Sequence, residues 1–484
     1  MLRKSLFSVT AVIALLLATV VVSAQGPIDI QTLPGGNWTT GQQIQNVGTG
    51  NAAIVAKAYG RTSGEYTATG VVGGLDSVPA GESRTILEDN WSGAPSSFEG
   101  SAVVNSDEPI VAIVNATNLV AAGQYQGVGS PNTEIGFPLF KNQFGIKSTT
   151  FYIQNAGSAS ATIYAVFKAD SGTEYRWNSS TAVDANRMVL LNPADAGVPT
   201  GVKGGLIVTS TVPIAGVVLE HGTTDTTLLQ ATKGFSPAEY GTTMVAPLIK
   251  RQFGSRSTGL QVQNVSGSSV DVYVTYVHDD DLSAGSGTNK QHKLGVPPGG
   301  SYTFYETLVG DSGSDTLPVG TLASATITAT GEVAAIVNET YVTVPAGQTQ
   351  KQTTYHAVSA AEATTKVGVP LAKEMHGGAA GKSTGIQVMN VGTVNATDVD
   401  LAYSFGGSTY TIEDQTIPAG GSKTFFKVSQ SVPASDWVGG NVLPSNQFGG
   451  VIVTSDQAIV VIVQEADLSG AQDTKNYEGF NLTP

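Results

Sequence analysis

The amino-acid sequence predicts an all-β protein made of four tandem antiparallel β-sandwich domains behind an N-terminal signal peptide. Three observations lead to this prediction. Hydrophobic residues make up 40% of the chain, whereas charged residues make up only 13%. The 58 glycines separate short runs in which apolar and polar residues alternate, which is the pattern of half-buried strands joined by turns. One phrase of about twenty residues also occurs four times, which indicates four copies of one unit.

Residues 1–24 have the layout of a secretory signal peptide. Arg3 and Lys4 provide a basic start, an apolar run follows over residues 9–22, and small residues precede Gln25. An uncleaved membrane anchor is the alternative, although the apolar run is short for a span. We therefore expect an extracellular protein, secreted or associated with the cell surface, whose mature chain has no membrane span. The sequence contains no cysteine, so no disulfide braces the fold.

The phrase that occurs four times predicts one strand, a turn and a second strand in each domain. In every copy a threonine lies six residues before an asparagine, and apolar and polar residues alternate on both sides of that asparagine. The asparagine and the nearby glycine are turn residues, because both tolerate the backbone angles of a tight reversal. The four predicted turn residues are Asn46, Asn155, Asn264 and Asn390.

Two further phrases complete each copy. The first is an apolar-Pro-x-Gly-x-Ser turn, present at 78–83, 296–301 and 417–422, while the second copy departs from it and has Leu191-Asn192-Pro193 near that place. The second phrase has two alternating runs around a short polar turn, which predicts a closing hairpin. Each copy then holds about seven short strands, as an Ig-like sandwich does. The predicted domains cover residues 25–131, 132–240, 241–362 and 363–484.

The alternation also predicts which side chains face the core. Ile44, Ile153, Val262 and Val388 lie two residues before the repeated asparagines, and we expect them inside. Gln43, Gln261 and Gln387 flank them and are expected to face solvent. Val262→Asp should therefore destabilise the third domain severely by burying an unpaired charge, whereas Gln261→Asp should have little effect.

The segments between the copies carry apolar anchors that a flexible linker would lack. Tyr125-Gln-Gly-Val128, Tyr355-His-Ala-Val358 and Tyr477-Glu-Gly-Phe480 follow the predicted hairpins, and Thr232-Lys-Gly-Phe235 is a weaker copy. We expect these segments to be joints that fix the angle between neighbouring domains. Four sandwiches in line would then form a semi-rigid rod with a length on the order of 140 Å.

The order of these phrases resembles that of the Ig-like modules of secreted bacterial and archaeal surface proteins, including the adhesion-type modules that occur in long tandem arrays. The resemblance rests on the strand before each repeated asparagine, the turn after it, the Pro-x-Gly-x-Ser phrase and the closing strands, and it covers nearly the whole mature chain. It implies a scaffold or binding role and supplies no catalytic residues to this chain.

Two motifs look catalytic in isolation but lack the structural context that the chemistry needs. Residues 376–384 (HGGAAGKST) contain the Gly-Lys-Ser of a phosphate-binding loop, but His376 occupies the first glycine position and a strand is predicted where a helix should follow. Gly381-Lys-Ser383-Thr-Gly385 has the spacing of a nucleophile elbow, but no histidine follows Ser383 to complete a triad. We therefore predict a non-enzymatic protein.

The candidate metal site is Asp279, Asp280 and Asp281, three consecutive carboxylates in a predicted loop of the third copy. Carboxylate oxygens are the ligands that Ca²⁺ prefers, so calcium is the one cofactor that the sequence suggests. The alternating Asp-x-Asp spacing of a calcium loop is absent, and a solvated acidic turn is the alternative. The net charge of −14 argues against nucleic acid as a partner, because phosphate binding requires a basic surface.

Together these observations predict a secreted structural or adhesive protein of the cell surface, for example part of a surface layer or an appendage. Its expected partners are copies of itself, other surface proteins or glycans. The alternative is a secreted carbohydrate-binding protein. Such proteins present aromatic rings on one face, but the four tryptophans, Trp38, Trp91, Trp177 and Trp437, do not occupy one repeated position.

Removal of the signal peptide gives a direct test of the predicted export. We expect the mature protein to begin at Gln25, because signal peptidase cuts after small residues such as Ala24. N-terminal sequencing of the protein from its native culture checks this, and a retained Met1 would indicate a membrane anchor instead.

Overall fold

The computed structural model describes residue 33 and residues 38–118, 120–279, 282–283, 286–344, 350–470 and 474–482. Over these residues the chain is an all-β protein with antiparallel sheets, as the sequence predicted. The only α-helix in these ranges is Val428–Ser431, and 3₁₀ turns occur at Glu88–Asn90, Pro193–Ala196, Pro237–Glu239, Ala360–Glu362, Ala434–Asp436 and Val438–Gly440. None of the described helices has the length and apolar character needed to cross a membrane. The predicted signal peptide lies outside the described residues.

The strands fall into four successive groups, which we call units 1 to 4. Unit 1 contains β1 (Thr39–Asn46), β2 (Ile54–Gly60), β3 (Glu65–Thr67), β4 (Ser83–Ile86), β5 (Gly100–Ser106), β6 (Ile110–Thr117) and β7 (Ala122–Gln126). Unit 2 contains β8 (Asn132–Asn142), β9 (Lys147–Asn155), β10 (Ile163–Ala169), β11 (Glu174–Asn178), β12 (Met188–Leu191), β13 (Val202–Gly222) and β14 (Leu229–Lys233).

Units 3 and 4 follow the same order and each add a short final strand. Unit 3 contains β15 (Gly241–Arg251), β16 (Arg256–Asn264), β17 (Val270–His278), β18 (Thr288–Val296), β19 (Ser301–Phe304), β20 (Thr321–Tyr341), β21 (Gln352–His356) and β22 (Val358–Ser359). Unit 4 contains β23 (Thr364–Glu374), β24 (Lys382–Asn390), β25 (Ala396–Phe405), β26 (Ser408–Ile417), β27 (Ser422–Phe426), β28 (Gln447–Asp467), β29 (Lys475–Glu478) and β30 (Phe480–Asn481).

Each unit is a sandwich of two antiparallel sheets around an apolar core. The core of unit 3 extends to Leu139 and Phe235 of unit 2, and that of unit 4 extends to Ile113 of unit 1. In unit 1 the sheets have the orders β4-β1-β6-β7 and β3-β2-β5. In units 2 to 4 one strand of 21 residues belongs to both sheets. In unit 2, for example, the first half of β13 pairs with β8 and β10, and its second half pairs with β9 and β14.

The predicted closing hairpins are therefore wrong. The two alternating runs form one long strand that crosses from one sheet to the other, and in unit 1 this strand is interrupted as β5 and β6, which pair with different neighbours. The pairing register of β13 shifts between Thr209 and Ile214, where the strand changes sheets. A crossing strand and a hairpin give the same alternation, because both send every second side chain into the core between the sheets.

The predicted core residues Ile44, Ile153, Val262 and Val388 are fully buried. The flanking glutamines are also buried, with exposed fractions of 5% for Gln43, 1% for Gln261 and 2% for Gln387, so their expected solvent exposure is wrong. The Gln261 amide donates to Ser301 and accepts from Thr303, and Lys203 of unit 2 donates to the same Thr303 hydroxyl. A neighbouring unit thus covers this face, and Gln261→Asp would also be destabilising.

The repeated asparagines form one buried hydrogen-bond network four times. In unit 1 the Asn46 amide nitrogen donates to the carbonyls of Gly50 and Val78 at 2.7 and 2.8 Å, while its amide oxygen accepts from the Gly48 backbone at 2.9 Å. Asn155, Asn264 and Asn390 make the equivalent three bonds in the other units. Each asparagine joins the turn after its strand to the Pro-x-Gly turn across the sandwich.

The Pro-x-Gly-x-Ser turn exists in unit 2 under a different sequence. Gly81, Gly299 and Gly420 each have a positive φ and donate from the backbone to the carbonyl of the repeated asparagine. In unit 2 Asn186 takes the place of this glycine. It has a φ of 63°, and its backbone nitrogen donates to the carbonyl of Asn155. The equivalent turn is therefore at 183–187 and not at Leu191-Asn192-Pro193, because asparagine, like glycine, tolerates the left-handed region.

The four units close into a ring through their closing strands, which are β7, β14, β21 and β29. Strand β7 contacts β14, β14 contacts β21, β21 contacts β29, and β29 contacts β7. The first strands repeat the pattern, since β8 packs on β16 and β20, β15 on β24 and β28, and β23 on β1 and β6. The last contact of each series returns to unit 1, so the expected rod is wrong.

The segments that were expected to be joints are the closing strands of the units themselves. The Tyr355 hydroxyl donates to the carbonyl of Leu248 at 2.7 Å and accepts from its backbone nitrogen at 3.0 Å, both within unit 3. Tyr477 makes the same pair of bonds with Leu371 in unit 4. Tyr355 and Tyr477 anchor β21 and β29 to the first strand of their own unit, and the other face of these strands is left for the ring interior.

A second set of contacts repeats around the ring at the Pro-x-Gly turns. Each turn presents a carbonyl to the preceding unit, where a serine or a glycine lies at the start of the crossing strand. Ser101 donates to the carbonyl of Asn186, and Ser324 donates to that of Gly420 at 2.7 Å. At the other two interfaces the carbonyl of Gly299 lies beside Gly205, and the carbonyl of Gly81 lies beside Gly450. The four interfaces therefore share one geometry, as expected for a cyclic arrangement.

The asparagine network gives a prediction for stability. Asn46→Ala removes three buried hydrogen bonds and leaves two carbonyls and one N–H unpaired, so the free energy of unfolding of unit 1 should fall by about 3 kcal/mol. Asn51→Ala is the matched control, because Asn51 is exposed and makes one surface bond to Ser77. Urea denaturation of the full chain measures both variants, and equal midpoints would contradict the structural role of Asn46.

Candidate functional site

The closing strands bring a polar cluster to the centre of the ring. Gln126, Lys233, His356 and Glu478 occupy equivalent positions on β7, β14, β21 and β29, and we call them the axial cluster. Gln126 donates to the backbone carbonyl of Glu478 at 2.7 Å. The His356 ring donates from Nε2 to the carbonyl of Lys233 at 2.6 Å, and the His356 backbone nitrogen donates to the Glu478 carboxylate. Each of these bonds joins two different units.

Burial determines the charges of the axial cluster. It lowers the pKa of His356 to about 3, and the neighbouring Lys233 ammonium acts in the same direction. The imidazole is therefore neutral at pH 7 and can donate a single ring proton. The Phe235 ring of unit 2 stacks on it with 3.7 Å between centroids. Burial also raises the pKa of the Glu478 carboxyl. This arrangement suits a structural centre, since its donors and acceptors are used between the units.

A second group of buried charges lies inside units 2, 3 and 4. In each unit one glutamate of the crossing strand pairs with a lysine of the first strand and a basic residue that opens the second strand. The pairs are Glu220 with Lys141 at 2.8 Å and Lys147 at 3.2 Å, Glu339 with Lys250 at 2.9 Å and Arg256 at 2.6 Å, and Glu465 with Lys373 at 2.5 Å and Lys382 at 3.7 Å. We call these the buried ion clusters.

Unit 1 replaces the buried ion cluster with apolar residues. Ala116 stands at the position of the glutamates, and Trp38 at the position of the basic residue that opens the second strand. Both lie in an apolar cluster with Leu219, Leu229 and Ala231 of unit 2. The glutamate and the basic residue are replaced together in unit 1, because a buried charge without its partner would reduce the stability of the fold by several kcal/mol. Comparison of the copies by position could have revealed this pattern, since Lys141, Lys250 and Lys373 end one shared phrase.

The cluster in unit 3 carries an excess of positive charge. Burial alone would raise the pKa of the Glu339 carboxyl, but the charges of Lys250 and Arg256 lower this pKa to about 2. Burial lowers the pKa of Lys250, and the second cation, Arg256, acts in the same direction against the pull of Glu339. One carboxylate thus faces two cations in a site where Glu339 is only 1% exposed.

The predicted calcium site falls only partly on described residues. Asp280 and Asp281 lie outside them. Asp279 is buried, and its carboxylate accepts a hydrogen bond from the Leu282 backbone at 3.0 Å within the turn. A different acidic group, Asp398, Asp400 and Asp414 of unit 4, has ligand atoms within 4.8 Å of one another. The sequence does not reveal this group, because its members come from two paired strands and are not consecutive.

The segment with catalytic spacing forms a turn that leads into a strand. The backbones of His376 and Lys382 exchange two hydrogen bonds across it, and β24 begins at Lys382. Ser383 is fully buried and accepts a bond from the Met375 backbone at 3.2 Å. Lys382 lies 3.7 Å from Glu465 in the buried ion cluster of unit 4. These residues therefore serve the fold at this position.

Comparison with known proteins adds little. No family model matches the chain, and no curated protein matches it. Among solved structures, the crystal structure of Thermotoga maritima 1070 is 11% identical, covering 25% of this chain and 94% of that chain, with a TM-score of 0.19. The BSP domain of a biofilm associated protein is 7% identical, covering 93% of this chain and 91% of that chain, with a TM-score of 0.13. A glycoside hydrolase of family 32 from Bifidobacterium adolescentis is 9% identical, covering 91% and 99%, with a TM-score of 0.13. TM-scores this low carry no argument about the fold or the function.

The ion cluster of unit 3 predicts a pH dependence of stability. The pKa of Glu339 is depressed in the folded chain from the ordinary 4.5 to about 2. Its stabilisation is therefore complete above pH 4.5 and is lost as the pH falls to about 2, a change of about 3 kcal/mol. Denaturant titrations at several pH values should show that Glu339→Gln differs from the wild type most at neutral pH and less at pH 2. The exposed Glu413→Gln serves as control. A constant difference across this range would contradict the pairing.

Proposed function

We propose that this chain is a non-enzymatic, secreted structural or adhesive protein of the cell surface, built from four Ig-like modules. The observation that carries the proposal is the closed cycle of contacts among β7, β14, β21 and β29. A single chain thereby acquires the arrangement of a cyclic tetramer. The hydrogen bonds of the axial cluster join the modules to one another, and the buried ion clusters stabilise modules 2, 3 and 4 from within.

A cyclic arrangement also favours adhesion. Elements related by rotation lie at the same height along the axis, so each surface loop is presented four times at one level of the ring. The turns that follow the repeated asparagines are one such set. Several weak contacts made at once by a rigid body increase the overall affinity for a repetitive surface. Such a surface could consist of glycans, other surface proteins or copies of this chain.

One observation favours carbohydrate binding as a second candidate. Tyr164 of β10 and Tyr273 of β17 occupy equivalent positions in units 2 and 3 and are 47% and 44% exposed. The Tyr273 ring lies over that of His292, with 6.1 Å between centroids and 22° between planes. An exposed aromatic ring on a flat sheet can stack on a sugar face.

The location of the protein on its native cells tests the first proposal. Immunogold electron microscopy with an antibody against the folded chain should label the outside of intact cells or material shed from them. Antiserum depleted with the purified protein is the control for specificity. Label found only inside sectioned cells would refute a surface role.

Binding to an immobilised glycan array separates the two candidates. If carbohydrate binding is the function, the Tyr164→Ala, Tyr273→Ala double variant should lose at least tenfold in retention, because it removes both exposed rings. Val55→Ala changes the equivalent exposed position of unit 1, which has no aromatic ring, and is the matched control. Equal retention of all three proteins would refute the role of the tyrosines.

A further inference from the structure

One sheet of unit 1 has an edge without a partner strand among the described residues. The order of this sheet is β3-β2-β5, and β5 pairs there only with β2. The counterparts of β5 in units 2 to 4 are the first halves of the crossing strands. Each of these pairs on its second edge with the first strand of its unit, which is β8, β15 or β23. Unit 1 therefore presents a row of backbone donors and acceptors where the other units have a strand.

The apolar core of unit 1 is open along the same edge. Ala102 and Val104 of β5 hold the register positions that Leu206 and Val208 hold in unit 2. Leu206 and Val208 are fully buried and pair with β8, whereas Ala102 is exposed and Val104 is only half-buried. In unit 2 the first strand covers these core positions, and within the described part of unit 1 no strand does so.

The closing segment of unit 1 lines the other side of this opening. In each of the other units, the residue at the position of Val128 pairs with the first strand of the same unit. These residues are Phe235, Val358 and Phe480. Within the described residues the Tyr125 hydroxyl forms no hydrogen bond, although Tyr355 and Tyr477 at the same position bond to the backbone of a first strand. We call the opening between β5 and the pair Tyr125 and Val128 the edge groove.

Leu33 marks the place where a first strand of unit 1 would end. It packs in one apolar cluster with Ala116 of unit 1 and Leu219 of unit 2. Ala116 is the counterpart of Glu220. In unit 2 Glu220 lies 2.8 Å from Lys141, which is near the end of β8. Leu33 therefore takes in unit 1 the place that Lys141 takes at the end of the first strand of unit 2.

The sequence just before Leu33 has the pattern of a strand, although residues 27–32 lie outside the described residues. Ile28 and Ile30 alternate with polar residues, and β-branched residues in alternation favour a half-buried strand. We propose that residues 27–32 bind in the edge groove antiparallel to β5 and form the first strand of unit 1. Ile28 and Ile30 then cover the open side of the core.

This placement also completes the cycle of first-strand contacts. Strand β8 packs on unit 3, β15 on unit 4 and β23 on unit 1. By the same rotation, the segment in the edge groove packs on β9 and β13 of unit 2. Tyr152 of β9 and Val217 of β13 are partly buried members of the apolar cluster that contains Leu33. The segment therefore contributes to the interface between units 1 and 2 as well as to the core of unit 1.

Tethering favours this segment over the same segment of a second copy. Leu33 packs beside unit 1 and precedes β1 closely in the chain, so residues 27–32 are held next to the groove. A short tether gives an effective concentration in the millimolar range, which a separate chain does not reach at micromolar protein concentration. An edge that stayed open would accept a strand from another copy, whereas a filled edge leaves the protein monomeric.

Hydrogen exchange of the mature protein, measured by mass spectrometry at micromolar concentration, tests the proposal. In an antiparallel sheet only alternate amides of a strand donate to a given neighbour. A filled groove should therefore protect about twice as many amides of β5 as an empty one, and about half of the amides of residues 28–32 should exchange roughly 100-fold more slowly than in an unstructured peptide. Unprotected residues 28–32 together with alternate protection of β5 would overturn the proposal. Protection that light scattering finds only in a multimer would overturn the assignment to the chain's own segment.

Two double variants connect the protection to residues 27–32. Ile28→Asp with Ile30→Asp brings unpaired charges to the groove, so residues 28–32 should lose their protection and β5 about half of its slow amides. Ile28→Val with Ile30→Val keeps apolar β-branched side chains and is the matched control, which should exchange like the wild type. Protection of β10 in unit 2 reports that the rest of the chain is folded. If the aspartate variant fails to fold, the exchange of the wild type still decides whether the groove is filled. Equal protection of β5 in two folded double variants would overturn the role of residues 27–32.

Discussion

The structure depends on the burial of both faces of one sheet in each unit. The sheet that contains the repeated asparagine packs its apolar face on the core of its own unit, and its polar face is covered at the interfaces with other units. Gln43, Gln261 and Gln387 show the consequence, because their amides are buried and hydrogen-bonded although they lie on the polar face. In an isolated sandwich this polar face would lie in water, whereas in the ring its amides are buried and need hydrogen-bond partners, which Thr85, Ser301 and Ser422 supply. Cyclic closure supplies a neighbour to every unit.

The buried polar groups explain why closure is specific. Apolar contacts alone tolerate sliding, whereas the bonds of the axial cluster join defined atoms of different units. The His356 ring connects unit 3 to unit 2, and its backbone connects unit 3 to unit 4. The Pro-x-Gly turns add a second set of interface contacts, which lies away from the axial cluster at an equivalent place in each interface. The orientation of each unit is thus fixed by at least two separated contacts, which opposes rotation about either one.

The sequence revealed the composition of each unit better than the path of its chain. Alternation identified Ile44 and Val262 as core residues, because every second side chain of a strand faces the same side. The same alternation could not distinguish a hairpin from a crossing strand such as β13, since both place the same residues in the core. It also could not show that Gln261 is covered, because coverage comes from another unit. The aromatic residues after the crossing strands were correctly recognised as anchors, but Tyr355 anchors its own unit and not a joint.

The candidate site was the least visible part in the sequence. The axial cluster has four different side chains at one repeated position, so no shared residue type marks it. The buried ion clusters left a clearer trace, as the glutamate and its lysine are present together in three units and absent together in the first.

Small-angle X-ray scattering of the mature protein tests the closed ring most directly. A compact chain of about 460 residues has a radius of gyration of about 23 Å, and the closed arrangement predicts this value with a narrow distance distribution. Four sandwiches in line, on the order of 140 Å long, would give a radius of gyration of roughly 40 Å. A value near the larger figure, or a broad distribution of extended shapes, would contradict the closure of unit 4 on unit 1.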